Sequence, residues 1–332
     1  MQSIDGISLV IPNYNGEQLL PQILPPAIHA LSATGIPYEI IVADDASTDQ
    51  SIVMLNRDFP QVQIKQLQVN GGFSKTANAG VRVARYSWVL LMNSDVKLTP
   101  TYFQFLLPYC HQTGLFSVSG RIVGWDDDHI QDGGKYPVFQ GAKIKTSYDF
   151  VPEQTSPTTF AFPCFYSSGA NAFINRKLFL ELGGFNELFS PFYVEDTELS
   201  LRAWRLGFSN YYEHKAICAH RTSSTIGSPE RKKQVNRIYN RNKYLLHAIH
   251  LDGLYLLSWF LQLKLELVFR LLTLRFTPLL SYIDFLKLIP GVIKSRRELR
   301  KLSGSKRLQG VPTLFAKIQQ QINQHSVQLQ QR

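Results

Sequence analysis

The chain has few cysteines, no long uncharged apolar stretch and no leader-like start, and each absence narrows the class of protein. Its three cysteines, Cys110, Cys164 and Cys218, lie far apart and match no metal-ligand spacing, so we expect structural thiols in a reducing compartment. The first residues show no charged-then-apolar leader, because residues 7–11 already have the pattern of a strand, and we predict no secretory signal. The uncharged run at 253–263 is too short for a membrane span of about 20 apolar residues.

The composition indicates a folded protein whose charge is unevenly distributed. Of the 332 residues, 44% are hydrophobic and 18% are charged, which is typical of a globular chain with a substantial core. Residues 1–228 carry 16 Lys and Arg against 20 Asp and Glu, whereas residues 229–332 carry 19 against 5. A basic C-terminal part of this kind usually binds phosphate groups, either on nucleic acid or on an anionic membrane surface.

Strand and helix patterns alternate over the first hundred residues. Apolar strands are predicted at 7–15, 38–49, 62–69 and 88–92, with helices at 18–32, 51–57 and within 70–84. The regular alternation of strand and helix patterns is lost between residues 100 and 163, where we expect loops and short antiparallel strands. It returns at 167–208, with one helix ended by Gly183-Gly184 and a second that begins near Glu195. This alternation predicts an α/β fold with a mostly parallel sheet flanked by helices.

Polar residues directly follow the predicted strands. They are Asn13 and Asn15, Asp44 and Asp45, Asn70, and the cluster from Asn93 to Asp95. Each alone is explained by a turn or a helix cap. Parallel strands, however, bring their carboxyl ends to one edge, where open α/β sheets bind ligands. Four strands that end in this way favour a ligand site at that edge.

Taken together, the motifs resemble those of the inverting family 2 glycosyltransferases of the GT-A fold, over about residues 7–245. The matching segments, in order, are Pro12-Asn13-Tyr14-Asn15, Asp44 to Asp49, Asn70-Gly71-Gly72-Phe73 with Asn78 and Gly80, Asn93-Ser94-Asp95, Gly183 to Arg202, His220, and Arg241-Asn242. Each motif is weak alone, and their shared order carries the resemblance. The resemblance points to a rhamnosyltransferase-like branch and implies a mixed, mostly parallel nucleotide-sugar-binding sheet.

The resemblance implies a divalent cation, Mg²⁺ or Mn²⁺, held by Asp95 with His220 assisting. Such a cation neutralises the diphosphate that leaves the donor. The chain departs from the family pattern at Asn93, where the first acid of the usual metal-binding pair is expected. This substitution predicts a site with one negative charge fewer, which binds the metal more weakly or relies on the substrate phosphates.

The resemblance also assigns roles to other residues. It makes Asp196 the catalytic base, and Phe192, Tyr193 and Glu195 part of an acceptor site; Glu195 would lie on another helix face. The predicted donor-binding residues are Pro12, Tyr14, Asn15, Asp44, Asp45, Asn70, Gly72, Asn78, Asn93 and Ser94. Either Asp44 or Asp45 could accept a hydrogen bond from the base, and the sequence leaves that choice open.

The rear third combines apolar helices with basic residues. Lys264 and Arg275 fall on one face of the predicted helix, and Glu266 and Arg270 fall nearly opposite, so the pattern is not cleanly amphipathic. Two arrangements remain open: helices packed on the catalytic domain or a partner, or helices that lie in a membrane interface. The segment 294–307 carries seven positive charges against one negative charge, which favours an anionic leaflet. We divide the chain into a catalytic domain (1–245), a membrane-associated helical extension (246–310) and a Gln-rich tail (311–332). For the Gln-rich end itself, residues 319–332, we expect a frayed helix or disorder.

The leading hypothesis is a metal-dependent, inverting hexosyl- or deoxyhexosyltransferase of cell-surface polysaccharide synthesis. It would use a nucleotide-sugar donor and a saccharide or lipid-linked saccharide acceptor, in the cytoplasm, peripherally on the inner face of the membrane. A nucleotidyltransferase would need a glycine-rich, basic loop after the first strand, which the sequence lacks. A nucleic-acid binder is disfavoured because residues 1–228 are acidic overall. The remaining alternative is a non-catalytic nucleotide-binding or assembly subunit.

Overall fold

The computed structural model describes residues 4–153, 162–221, 229–305 and 307–331, with only the backbone of Ser147 and Pro229. The strands in the first half are β1 (Ile7–Asn13), β2 (Tyr38–Asp44), β3 (Gln63–Gln66), β4 (Trp88–Met92), β5 (Val96–Leu98), β6 (Leu115–Gly124) and β7 (Ile130–Asp132). These are followed by β8 (Gly134–Gln140), β9 (Lys143–Pro152), β10 (Phe162–Pro163), β11 (Asn171–Asn175), β12 (Ser209–His220) and β13 (Val327–Gln331).

The helices connect these strands and then dominate the C-terminal third. Those of the first two thirds are α1 (Leu20–Ser32), α2 (Ser51–Asp58), α3 (Phe73–Val83), α4 (Tyr102–Leu106), α5 (Arg176–Glu181) and α6 (Glu195–Arg205). The C-terminal helices are α7 (Pro229–His250), α8 (Gly253–Leu272), α9 (Thr277–Lys287), α10 (Ile289–Ser303) and α11 (Val311–Asn323). Among the residues that the structure describes, no helix combines the length and apolarity needed to cross a bilayer.

The central sheet has the strand order β10-β12-β6-β11-β4-β1-β2-β3. Strands β4, β1, β2 and β3 are mutually parallel, and β6 is parallel to β12, whereas β11 runs antiparallel between β4 and β6. This mixed, mostly parallel sheet with flanking helices confirms the predicted fold class. The register pairs Asn13 with Asp44, so the polar ends of β1 and β2 lie side by side.

Alternating side chains of the central strands build two cores. On β1, Ile7, Leu9 and Ile11 pack with α1 in one apolar cluster, and Val10 packs with α3 and α6 in another. Successive residues of a strand face opposite sides of a sheet, so the almost uninterrupted apolar run of β1 fits a strand covered on both faces. The sheet is therefore rigid where its strands deliver polar residues to the edge.

A second, antiparallel sheet, β13-β9-β8, joins the central domain to the C-terminal helices. A third apolar cluster contains Phe150, Phe165, Trp259, Phe285 and Phe315, and so links this sheet to α8, α9 and α11. The helices of the C-terminal third thus pack on the part of the chain that contains the two sheets. Helix α7 runs across the predicted boundary at residue 245, and the three-part division itself stays a prediction.

Two parts of the sequence prediction differ from the structure. The region 100–163 is more ordered than expected, because β6 is a buried ten-residue strand in the middle of the central sheet. The described residues of the Gln-rich end are more ordered than a frayed helix: Ile322 is buried near the end of α11, and β13 pairs with β9. Backbone hydrogen bonding to a neighbouring strand gives the Gln-rich segment an order that its side chains do not predict.

Candidate functional site

Hydrogen bonds tie the carboxyl ends of β1 and β2 together. The side-chain amide of Asn13 donates to Asp44 Oδ2 at 2.9 Å and to Ser47 Oγ at 3.2 Å. The backbone N–H of Ser47 donates to Asp44 Oδ1 at 3.0 Å, and that of Asn15 donates to Ser47 Oγ at 2.9 Å. Asn13 and Asp44 are buried, so this network shapes the edge from beneath.

Asp45 holds the next loop of the same edge. Its two carboxylate oxygens accept hydrogen bonds from the backbone N–H groups of Gly71 and Gly72, at 2.7 and 2.9 Å. Gly72 has a φ of +80°, and a Cβ built there would lie 2.6 Å from the carbonyl oxygen of Pro191. Glycine therefore permits a left-handed backbone and a close approach to the loop that precedes α6. Through Gly72, the donor edge, formed by the loops with the predicted donor-binding residues, contacts the predicted acceptor loop, the segment that carries Phe192 and Tyr193.

Four other predicted donor-binding residues, from the carboxyl end of β1 and the loops after β1 and β3, are partly or fully exposed. Tyr14 is 52% exposed, Asn15 and Asn70 are exposed, and Pro12 is half-buried. Asn15 has a positive φ of 55°, and its side-chain oxygen accepts a hydrogen bond from the Thr48 N–H at 2.8 Å. These side chains are accessible to a ligand that lies across the ends of β1 and β2.

Asp95 and His220 face each other because β5 pairs with β12, which places Val96 beside His220. Asp95 Oδ2 lies 3.4 Å from His220 Nε2, and Asp95 Oδ1 is buried and has no hydrogen-bond partner among the residues that the structure describes. The other ring nitrogen, His220 Nδ1, is 2.9 Å from the side-chain oxygen of Gln131. A hydrogen bond of this kind orients an imidazole and leaves Nε2 free to act as a ligand.

These residues fit a divalent cation that takes most of its ligands from the substrate. No cluster of three or more His, Cys, Asp or Glu side chains that could hold a metal occurs within the described ranges. An unpartnered carboxylate oxygen beside an oriented imidazole nevertheless supplies two ligands, and Mg²⁺ commonly binds through one or two carboxylates together with substrate phosphates and waters. The Asn93 side chain in place of an acid matches a site of low protein charge.

One cavity brings the end of β4 together with the start of α6. Its volume is about 670 Å³, and Asn93, Phe192, Tyr193, Glu195 and Asp196 all line it. Ser94, between Asn93 and Asp95, is half-buried. The aromatic rings of Phe192 and Tyr193 pack edge to face at 4.9 Å, and Tyr193 is 43% exposed. The cavity therefore combines carboxylates with an exposed aromatic surface, which suits a sugar.

The two acids at the start of α6 have different environments. Burial raises the pKa of Asp196, against the lowering effect of hydrogen bonds from the backbone N–H groups of Gly169, at 3.2 Å, and Thr197. Burial raises the pKa of Glu195 well above its ordinary value, and the charge of Asp196 adds to this effect. Glu195 Oε2 is buried and finds no hydrogen-bond partner within the described part of the chain. Asp196 can thus take up a proton as a carboxylate, and the burial of Glu195 favours the neutral form of that side chain.

Helix α7 fixes the loop between Phe189 and Tyr193. The side-chain amide of Asn242 donates to the carbonyl oxygens of Phe189, Phe192 and Tyr193 at 2.6 to 2.9 Å. Arg241 donates to the Ser190 carbonyl at 2.6 Å. Tyr193 and Val194 both have a φ of 74°, a conformation that non-glycine residues rarely adopt. The Asn242 bonds compensate this strain and so position the aromatic surface.

The structure separates Asn78 from the other predicted donor residues. Its side chain donates to the Phe185 carbonyl at 2.9 Å and accepts from the Phe185 N–H at 2.8 Å, so it joins α3 to the turn after α5. Sequence reasoning missed Tyr239 and Lys243, which line the cavity from α7. Their spacing of four residues places them on one helix face, but no motif marked that face.

Comparisons with known proteins find similarity to glycosyltransferases. A sequence model described as Glycosyl transferase family 2 matches residues 8–183. A chondroitin synthase of Escherichia coli is 26% identical over 234 residues, which cover 61% of this chain and 33% of that protein. An undecaprenyl-phosphate 4-deoxy-4-formamido-L-arabinose transferase of Pectobacterium carotovorum is 29% identical over 116 residues, which cover 34% and 36% of the two chains. The chain matches only about a third of the length of these relatives.

Solved structures show the same fold. GalNAc-T7, crystallised with UDP, GalNAc and Mn²⁺, superposes with a TM-score of 0.60 at 16% identity, over 77% of this chain and 49% of that one. Residues 1–349 of Staphylococcus aureus TarS with UDP-GlcNAc superpose with a TM-score of 0.50 at 18% identity, over 96% and 92%. The family match covers more than half of the chain, and the strand order places the motifs at one sheet edge. The chain belongs to glycosyl transferase family 2 and has the GT-A fold.

Proposed function

We propose that the protein is an inverting glycosyltransferase that moves a hexosyl or deoxyhexosyl unit from a nucleotide-diphosphate donor to a saccharide or lipid-linked saccharide in cell-surface polysaccharide synthesis. One observation carries the proposal: Asn93, from the turn predicted to meet the donor diphosphate, lines the same cavity as Asp196, the predicted base. A transferase needs these two groups within reach of one reacting bond. The rhamnosyltransferase-like branch stays a prediction about the donor sugar.

Each step of the proposed reaction is assigned to particular residues. The donor nucleotide lies across the ends of β1 and β2, against Tyr14 and Asn15, above the Asp44 and Asp45 network. The acceptor sugar stacks on Phe192 and Tyr193, and one of its hydroxyl groups attacks the anomeric carbon as the bond to the diphosphate breaks. Asp196 accepts the hydroxyl proton, an effect typically worth about 10²- to 10⁴-fold in rate. Glu195, which lines the same cavity, contacts the acceptor.

Asp95 and His220 would hold a bound Mg²⁺ or Mn²⁺. Such a cation supplies positive charge to the leaving diphosphate. The unpartnered Asp95 Oδ1 and the orientation of His220 by Gln131 support this assignment.

Nucleotide binding tests the donor site directly. We expect one of UDP, GDP, dTDP and CDP to raise the melting temperature of the wild type in the presence of Mn²⁺, and Asp95→Ala to lose this effect. Asp126→Ala is a matched control, because Asp126 lies in an exposed turn. If no nucleotide shifts the melting temperature with or without metal, the transferase assignment is wrong and a non-catalytic subunit is favoured.

We further propose that α8 attaches the protein to an anionic membrane surface. Six aliphatic side chains recur on α8 every three or four residues and are 55 to 79% exposed: Leu254, Leu257, Leu261, Leu265, Val268 and Leu272. This set, the apolar face of α8, is about 27 Å long at 1.5 Å per residue. The opposite side of the helix packs on the protein through Trp259, Leu263 and Leu267. The helix therefore turns an aliphatic face to the outside.

The charged residues of α8 that complicated the sequence pattern mostly lie on its protein side. Glu266 pairs with Lys143, and Arg270 lines a crevice against α7. The helices that follow carry exposed basic side chains, among them Lys287 and Lys294. An exposed aliphatic stripe beside basic residues is complementary to a bilayer with anionic headgroups.

Vesicle flotation tests this attachment. We expect the full chain to float with phosphatidylcholine vesicles that contain phosphatidylglycerol, and to float less with phosphatidylcholine alone. Leu261→Ser combined with Leu265→Ser removes about 1 to 2 kcal/mol of apolar burial per residue, so binding weakens at least tenfold. Val53→Ser with Val69→Ser alters equally exposed residues elsewhere and leaves flotation unchanged. Equal flotation of both variants, or a dimer in solution that the α8 variant dissociates, contradicts the proposal.

A further inference from the structure

A basic crevice lies between β9 and helices α7 and α8. Its volume is about 190 Å³, and it is lined by four basic side chains, Lys143, Lys145, Lys243 and Arg270, with Glu266 as the single carboxylate among its lining residues. The two strand lysines are two residues apart and therefore share one face of β9. All four basic residues are half-buried.

The crevice is continuous with the catalytic cavity. Ile144, Thr146 and Lys243 line both spaces. On its other side the crevice is bounded by Trp259, Leu263 and Leu267, the buried side of α8. The basic side chains thus lie between the cavity that contains Asp196 and the helix whose outer side is the apolar face.

Among the described residues, carboxylates balance only part of the positive charge in the crevice. Glu266 pairs with Lys143, and Lys243 Nζ lies 3.9 Å from the centre of the Tyr239 ring. Burial, and then the charge of Lys143, lower the pKa of Lys243 to about 8. Burial lowers the pKa of Lys145 too, with further contributions from Lys243 and Lys143. Like charges held together out of water disfavour their own ionisation, and a bound anion reverses that effect.

The crevice is separate from the predicted donor site. Its lining residues come from β9 and helices α7, α8 and α9, whereas the donor edge is built by the loops after β1, β2 and β4. A donor diphosphate beside Asp95 would leave these lysines unused. An anion in the crevice would instead belong to a molecule that enters the catalytic cavity from the side of α8.

We propose that Lys145 and Lys243, flanked by Lys143 and Arg270, bind the phosphate or diphosphate of a lipid-linked acceptor. The inference rests on the proposed transferase function and gives its acceptor a chemical class. The phosphate sits in the crevice, the saccharide extends along Thr146 and Lys243 into the cavity, and the lipid leaves toward the membrane beside α8. Two lysines at one phosphate provide charge-assisted hydrogen bonds, which are about twice as strong as neutral ones.

Calorimetric titration of the full chain tests the subsite with three probes: farnesyl diphosphate below its critical micelle concentration, inorganic pyrophosphate, and farnesol. We expect farnesyl diphosphate to bind, pyrophosphate to bind more weakly, and farnesol not to bind in the crevice. Lys145→Gln combined with Lys243→Gln raises the Kd for farnesyl diphosphate at least tenfold, and the corresponding Arg variants recover most of the loss. Lys177→Gln with Lys215→Gln removes two exposed lysines and leaves the Kd within twofold.

Other outcomes overturn the inference. If the paired Gln variant binds farnesyl diphosphate as tightly as the wild type, the crevice is not the phosphate site. If pyrophosphate binds as tightly as farnesyl diphosphate, the crevice takes a free diphosphate and the lipid-linked assignment is wrong. Nucleotide binding with Mn²⁺, measured on the same samples, separates the two proposals. If the wild type binds a nucleotide but not farnesyl diphosphate, only the phosphate subsite is rejected. If the wild type binds no nucleotide, the transferase function is rejected.

Discussion

His247 links β9, α7 and α8 and must be neutral to do so. The backbone N–H of Ile144 donates to its Nε2 at 2.8 Å, and its Nδ1 donates to the Lys243 carbonyl at 2.6 Å. The ring also stacks on Trp259, with centroids 5.2 Å apart. An imidazole that accepts at one nitrogen and donates at the other carries no charge. His247 is 3% exposed, and its burial lowers its pKa to about 4.

The lowered pKa of His247 decreases the free energy of unfolding at acidic pH. In the unfolded chain the histidine takes up its proton near pH 6.5, whereas in the folded chain it does so near pH 4. The unfolded state therefore binds more protons between these values, and stability is lost as the pH falls through this window. From the two pKa values, His247 alone removes about 2 kcal/mol from the free energy of unfolding between pH 7 and pH 4.5.

Urea unfolding at pH 7, 6, 5 and 4.5 measures this loss in the wild type, in His247→Gln and in the exposed control His111→Gln. We expect His247→Gln to be less stable at pH 7 and to lose about 2 kcal/mol less than the wild type on acidification. Burial also lowers the pKa values of His214 and His250, but both remain in every variant, so the difference isolates His247. Equal acid losses in the wild type and in His247→Gln would refute the reasoning.

Three further substitutions test the site. Gly72→Ala places a Cβ against Pro191 at a positive φ, and we expect steady-state kinetics to show at least tenfold lower activity. A variant with the wild-type rate would show that the close approach of Gly72 to Pro191 is not needed for activity. Asn242→Ala removes the hydrogen bonds to three carbonyls of the predicted acceptor loop, so we expect KM for the acceptor to rise while nucleotide binding is retained. An unchanged KM would show that Asn242 does not position this loop. The raised pKa of Asp196 predicts an acid limb of kcat/KM above pH 3.8, because the base must be ionised, and the limb should vanish in Asp196→Asn.

The sequence predicted β1, β2 and β4 well because each is a short apolar run followed by polar residues. Strands β1, β2 and β4 lie within the predicted ranges, and helix α6 begins at Glu195 as expected. Strand β6 was missed because it contains Ser117 and Ser119, whose polarity hides a buried strand. In the fold, Ser117 Oγ bonds to Ser167 at 2.8 Å and to the Asn210 side chain at 2.6 Å, so its burial is compensated.

The candidate site was predicted as a set of motifs, and its connections were not. The order of motifs placed Asp95 and His220 in one site, but only the β5–β12 pairing shows that the two side chains face each other. Likewise, Lys145 and Lys243 are far apart in sequence, and neither lies in a motif. Their proximity depends on the packing of α7 against β9, which is long-range information that no local pattern contains.

The most direct test of the proposed transfer reaction is turnover of the donor. Release of nucleoside diphosphate from a panel of UDP-, GDP-, dTDP- and CDP-sugars would be measured with Mn²⁺ and membrane-extracted lipid-linked saccharides, on the wild type and Asp196→Asn. We expect one donor to be consumed by the wild type, and Asp196→Asn to be slower by about 10²- to 10⁴-fold with unchanged nucleotide affinity. A wild type that binds a nucleotide but consumes no donor, or an Asp196→Asn variant with the wild-type rate, would contradict it.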